Sequence, residues 1–266
     1  MHEQSARESA PLTTRPLPPE SQPGAANYTG RKVWTAYGVH LFSALGAIAG
    51  FLSLKATIDG HAAAALIWLL AAQIHDGIDG YIARAAQVRR YAPRIDGHAL
   101  DLMMDYLTCV AAPAAVIYRF KLLPTGWAVP ILLLIVVSGL LWMSLADLET
   151  DDGVFRGFPA GWNLVANSLW VVVLPGWASV AICLLFVALT FSNLPIAHPV
   201  QSRVYQPLTT IITATWMGVL IHMTALGRGE APIGEQWLLV ILPAWWLIIG
   251  YVRSTRLRRE ATPHSV

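Results

Sequence analysis

Apolar residues run along this chain in long blocks broken by short polar stretches. The blocks fall at about 33–57, 61–83, 97–120, 126–146, 160–174, 177–194, 207–226 and 236–252. A helix that crosses a bilayer needs roughly 17–25 such residues. Six of the eight blocks meet that length comfortably. The weak pair is 160–194, which Pro175-Gly176 divides and whose first half is short. It reads either as two short helices or as one re-entrant hairpin. The pattern predicts an all-α integral membrane protein, a bundle of about eight transmembrane helices.

Composition agrees. The chain is 55% hydrophobic and 13% charged, and the charged share is about half of what a soluble protein carries. The net charge of +2 gives no sign of nucleic acid as a partner. Cys109 and Cys183 sit in apolar runs, with no metal-ligand or disulfide spacing. Residues 1–30 are rich in Pro, Ser and Glu without an apolar core, so they read as a disordered cytosolic tail and not as a signal peptide. A transmembrane domain over 31–253 and a basic cytosolic tail over 254–266 follow. Eight crossings with both termini cytoplasmic place 14 of the 18 basic residues on the cytosolic side, as the positive-inside rule asks. No internal repeat is visible.

One stretch breaks the apolar pattern. HDGIDGYIARAAQVRRYAPRIDGHALDLMMDY, His75–Tyr106, holds five aspartates and four arginines in 32 residues. Asp76 and Asp79 close the second block, and Asp101 and Asp105 open the third. Spacings of three and four put each pair on one helix face. Gly80 and Ala83 share the Asp76 face, and Gly97 lies in line with Asp101 and Asp105. An aspartate at a helix centre costs roughly 2.5–3.5 kcal/mol on insertion scales, less near the interface, and four clustered anions repel one another. Hard divalent cations such as Mg²⁺ or Mn²⁺ favour all-oxygen sites and would relieve the repulsion. Four carboxylates can hold two ions, the usual clamp for a diphosphate. Small residues let a nucleotide approach the backbone, and Arg84 can grip phosphate oxygens. The alternative, four water-facing helix-end residues, gives no reason for the spacing.

Asp76-x2-Asp79-Gly80-x2-Ala83-Arg84 followed by Gly97-x3-Asp101-x3-Asp105 resembles the signature of the CDP-alcohol phosphatidyltransferases. The resemblance covers about 30 residues and departs from the common pattern in one respect. Twelve residues, Ala85 to Asp96, separate Arg84 from Gly97, a longer interval than is usual. That interval, Asp76-Gly77, and the stretches TDDGVFRGFPAGWN (Thr150–Asn163) and HPVQSR (His198–Arg203) look like the bacterial subgroup that joins CDP-diacylglycerol to choline.

The resemblance implies that Asp76, Asp79, Asp101 and Asp105 carry Mn²⁺ or Mg²⁺, as two ions. It implies Asp105 as the general base. Gly80, Ala83, Arg84 and Gly97 would form the CDP-diacylglycerol site, with Arg156 and Asn163 as further candidates. It also implies a multi-pass protein of the inner membrane, lipid bilayer around it, the site facing the cytosol, and by analogy a homodimer.

A quaternary ammonium is held by aromatic faces and anions. Tyr106 and Trp162 are the candidate choline contacts, though interfacial Trp and Tyr belong to any membrane protein. Asp147, Glu149, Asp151 and Asp152 make an acidic loop that either attracts choline or is simply solvated. His75 and His98 each adjoin a motif residue and are expected to face away from it. Related transferases acting on serine, glycerol phosphate or inositol, and a membrane cation transporter, are the alternatives.

Overall fold

The computed structural model describes residues 30–145, 149–150, 154–197 and 205–260. The tail 1–29, HPVQSR and the acidic positions 147, 151 and 152 lie outside them, as do the last six residues.

Helix α1 (Gly30–Asp59) packs along α2 (Ala62–Ala85). Its buried residues are mostly small, Ala36, Gly46, Ala49, Gly50, Ser53 and Ala56, with Val39, His40 and Thr57 beside them. Small residues let membrane helices approach closely. A Cβ on Gly46 would sit 2.7 Å from Met104 Cε, and one on Gly50 would sit 2.9 Å from Leu107 Cδ2. Both glycines therefore admit the third hydrophobic segment.

That segment is continuous from Gly97 to Arg119 but not uniform. It comprises α4 (Gly97–Asp105), a π-helical turn (Tyr106–Ala111) and α5 (Ala112–Arg119). Between α2 and α4, where the chain carries no apolar block, lies the four-residue α3 (Val88–Tyr91). Val88 and Ala92 bury against Ala36 and Val39 of α1. The long interval between Arg84 and Gly97 is thus spent on a docked helical turn.

The rest of the bundle is α6 (Thr125–Met143), α7 (Trp162–Val171), α8 (Gly176–Thr190), α9 (Gln206–Leu226) and α10 (Ile233–Glu260). Each predicted apolar block carries a helix among the described residues. Among the described residues, five segments are long and apolar enough to cross a membrane: Gly30–Asp59, Gly97–Arg119, Thr125–Met143, Gln206–Leu226 and Ile233–Arg253. Helix α2 has 24 residues, but its last turns are polar. The divided block resolves into two separate helices of 10 and 15 residues. At about 1.5 Å per residue, α7 covers only half of a hydrocarbon core roughly 30 Å thick. It lies inside the bundle, with seven of its ten residues buried, and the non-helical residues 172–175 carry the chain on to α8.

A small sheet adds to the all-α expectation. Strand β1 (Glu149–Thr150) pairs with β2 (Val154–Arg156), which pairs with β3 (Pro195–Ala197), both antiparallel. Gly157 anchors this sheet to the end of α8. Its φ is +79°, and a Cβ there would lie 2.6 Å from the Leu189 and Thr190 carbonyl oxygens. Gly157 N–H donates to Leu194 O at 2.9 Å and Phe158 N–H to Leu189 O at 3.0 Å.

The main core gathers Leu66 and Leu69 of α2, Val116 and Ile117 of α5, Ile131 and Ile135 of α6, and Trp162 of α7. Helices α9 and α10 form a second core around Trp216, Leu220, Met223 and Trp246, joined to Leu70 and Val171.

Candidate active site

A cavity of about 630 Å³ opens where the C-terminal turns of α2 meet the start of α4. Asp76, Asp79, Asp101 and Asp105 all line it. Asp76, Asp101 and Asp105 each present an oxygen within 4.8 Å of the others. Asp79 lies outside that trio and is only 3% exposed. Carboxylates this close repel strongly unless a cation neutralises them. Three convergent anionic oxygens are a donor set that a hard divalent ion fits.

Two different structures hold the helices to this geometry. On α4, the Asp96 side chain caps the first turn, accepting from His98 N–H at 3.0 Å and Ala99 N–H at 3.2 Å. The fifth acid of the stretch thus belongs to the cap and not to the cluster. Directly after Asp105 the helix widens into the π turn. Pro113 explains the widening, because it has no N–H for the Cys109 carbonyl and its ring crowds the preceding turn. The Ala112 N–H reaches back to Leu107 O instead.

On α2 the support comes from side chains. Gln73 Nε2 donates to Asp76 Oδ2 at 3.3 Å. Gln73 Oε1 accepts from Asn163 Nδ2 on α7 at 2.7 Å. One turn on, Asn167 Nδ2 donates to the Asn163 carbonyl at 2.9 Å, and Asn167 Oδ1 accepts from Thr224 of α9 at 3.0 Å. The short helix α7 is thereby fastened to both neighbours.

The other sequence candidates divide. Gly80 and Arg84 line the cavity with the aspartates. Ala83 packs with Ala36 and Val39 against α1 and α3. Gly97 also turns to α1: a Cβ there would stand 3.1 Å from His40 Cε1. Its smallness lets the start of α4 lie close against α1. Tyr106 and Trp162 are not among the cavity-lining residues. Trp162 is fully buried, edge-on to Phe158 at 5.4 Å. The aromatic residues that do line the cavity are Trp142, Phe155, Trp216 and Trp246. Asn163 is wholly buried and acts behind Gln73. Arg156 lends its backbone carbonyl to Trp142 Nε1 at 3.3 Å.

His75 faces away as expected, with Nε2 3.0 Å from Phe42 O. His98 does not: it lines the cavity beside Asp101. Its spacing of three from Asp101 puts the two on one face, and that was the available signal. The same spacing links Gln73 to Asp76.

The Pseudomonas aeruginosa protein named phosphatidylcholine synthase is 39% identical to this chain over 189 residues, 70% of this chain and 79% of the relative. Proteins of that name from Rhizobium meliloti and Rhizobium johnstonii are 32% and 30% identical, each over 82% of this chain and over 90% and 89% of their own lengths. No family model matches the chain.

Proposed function

The chain belongs to the phosphatidylcholine synthases, and on that premise we propose that it transfers the phosphatidyl group of CDP-diacylglycerol to choline and releases CMP. The observation that carries the reading is the convergence of Asp76, Asp101 and Asp105 at one end of the cavity. This is the carboxylate arrangement expected of a CDP-alcohol phosphatidyltransferase.

Asp76, Asp101 and Asp105 would hold a divalent ion, Mn²⁺ or Mg²⁺, and Asp79 is the further carboxylate that a second ion needs. Bound there, the ions would neutralise the diphosphate and the departing CMP phosphate. The chain's own residues supply the rest. Arg84 binds phosphate oxygens, and Gly80 lets the donor approach the α2 backbone. Asp105 takes the proton from the choline hydroxyl, a poor nucleophile at neutral pH. The hydroxyl oxygen then bonds to the phosphorus that carries diacylglycerol, and the bond from that phosphorus to the CMP oxygen breaks. Trp142 and Phe155, ring centroids 5.8 Å apart, give the cavity an aromatic wall for the trimethylammonium group.

The same reading has eight crossings of the inner membrane, both termini in the cytosol and the aspartates at the cytosolic face. Acyl chains then stay in the bilayer while the headgroup reacts. Purified protein given CDP-diacylglycerol, Mn²⁺ and a panel of choline, serine, glycerol phosphate and inositol tests the proposal. CMP and phosphatidylcholine with choline alone are expected. No CMP with any acceptor would end the transferase reading, and product with serine in place of choline would end only the choice of acceptor.

A further inference from the structure

We infer that Gln73 and Asn163 are positioning residues that fix the Asp76 carboxylate for cation binding, a role that rests on the reading of the aspartates as a metal site. An amide has one accepting end and one donating end. Asn163 Nδ2 occupies the accepting end of Gln73 at 2.7 Å, which leaves Nε2 to face Asp76 at 3.3 Å. A charged carboxylate only accepts, so the chain of donors runs one way, from α7 to Asp76. Turning Gln73 over would set oxygen against oxygen at Asp76 and nitrogen against nitrogen at Asn163. Its orientation is therefore locked.

Asn163 has no solvent exposure, and its Oδ1 is buried without a hydrogen-bond partner among the described residues. A position serving packing alone would carry an apolar side chain there and avoid the penalty of that unmet acceptor. The polar residue makes sense through what its Nδ2 does. Helix α7 is held in place for this by Asn167, whose Nδ2 bonds to the Asn163 carbonyl and whose Oδ1 accepts from Thr224. The Gln73 amide joins the mouth of the cavity to the middle of the bundle, and its Oε1 also takes a weak contact from Cys109 Sγ at 4.0 Å. Residues that orient a metal ligand from behind typically change metal affinity or activity by about 10–100-fold when removed.

The test uses the full chain in detergent micelles, with free Mn²⁺ followed by electron paramagnetic resonance during titration. Choline KM and kcat are measured in parallel. Gln73→Leu is expected to weaken Mn²⁺ binding by about 10-fold or more while choline KM stays within about twofold. Asn163→Leu should show the same pattern more weakly. The double variant should lose no more than Gln73→Leu, because Asn163 acts through Gln73. Gln73→Met, similar in length, replaces Gln73→Leu if that variant does not fold. Unchanged Mn²⁺ affinity in a folded Gln73 variant, or losses that add in the double variant, would overturn the inference and leave the transferase reading standing. Wild-type protein that binds no Mn²⁺ would overturn the metal reading and the inference together.

Discussion

Helices α2 and α4 bring aspartates to the same cavity but are held there by different means. The α4 arm is braced by its own backbone, with the Asp96 cap before Gly97 and a π turn directly after Asp105. The α2 arm is braced from outside, through Gln73 to Asn163 on α7. A backbone brace sets where a helix begins and widens. A side-chain brace sets how one carboxylate is turned. A fault in the first should therefore show mostly in stability, and a fault in the second in cation affinity.

Removing a carboxylate should override either brace. Asp105→Asn keeps the size of the side chain and removes the base. Turnover should fall by at least about 100-fold while the protein stays folded. CMP release from detergent-solubilised protein measures this, and a near-wild-type rate would strip Asp105 of its role.

The two glycines of the motif sharpen the comparison next. Gly80→Ala places a Cβ 3.4 Å from Arg84 Nη1, an ordinary contact on the cavity side. KM for CDP-diacylglycerol should rise several-fold with little change in melting temperature. Gly97→Ala pushes instead on His40, 3.1 Å away on α1. It should lower the melting temperature and leave that KM unchanged. A reversal of the two outcomes would mean that the donor approaches α4 and not α2.

Smaller effects probe the backbone brace and the aromatic wall. Asp96→Ala removes the cap, at a cost of about 1 kcal/mol by thermal denaturation, without altering Mn²⁺ affinity. Trp162→Phe changes a ring that lies outside the cavity lining, so choline KM should hold. Trp142→Ala should raise it. A higher choline KM in Trp162→Phe would return that ring to the list of choline contacts.

Much of this was legible in the chain. The lengths of the apolar blocks gave the helices, because a bilayer admits backbone only when its hydrogen bonds close within the segment. Spacings of three and four placed four aspartates on two helix faces. The motif did not show which way its glycines look. Gly80 and Gly97 are the same residue type in the same signature, and only the position of α1 makes one a cavity wall and the other a packing contact. The interval between Arg84 and Gly97 reads as loop because α3 has four residues and gains its order from docking on α1.

The sequence by itself determined a helical membrane chain and two carboxylate-bearing helix ends. These are local matters, settled by hydrogen bonds between residues a few positions apart. Only the tertiary structure decided that Asp79 stands apart from the trio, that Trp162 is core and that Asn163 is hydrogen-bonded through Gln73 to Asp76. Asn163 and Gln73 are 90 residues apart in the chain. Which buried donor finds which acceptor depends on how the helices cross, and no local spacing encodes that.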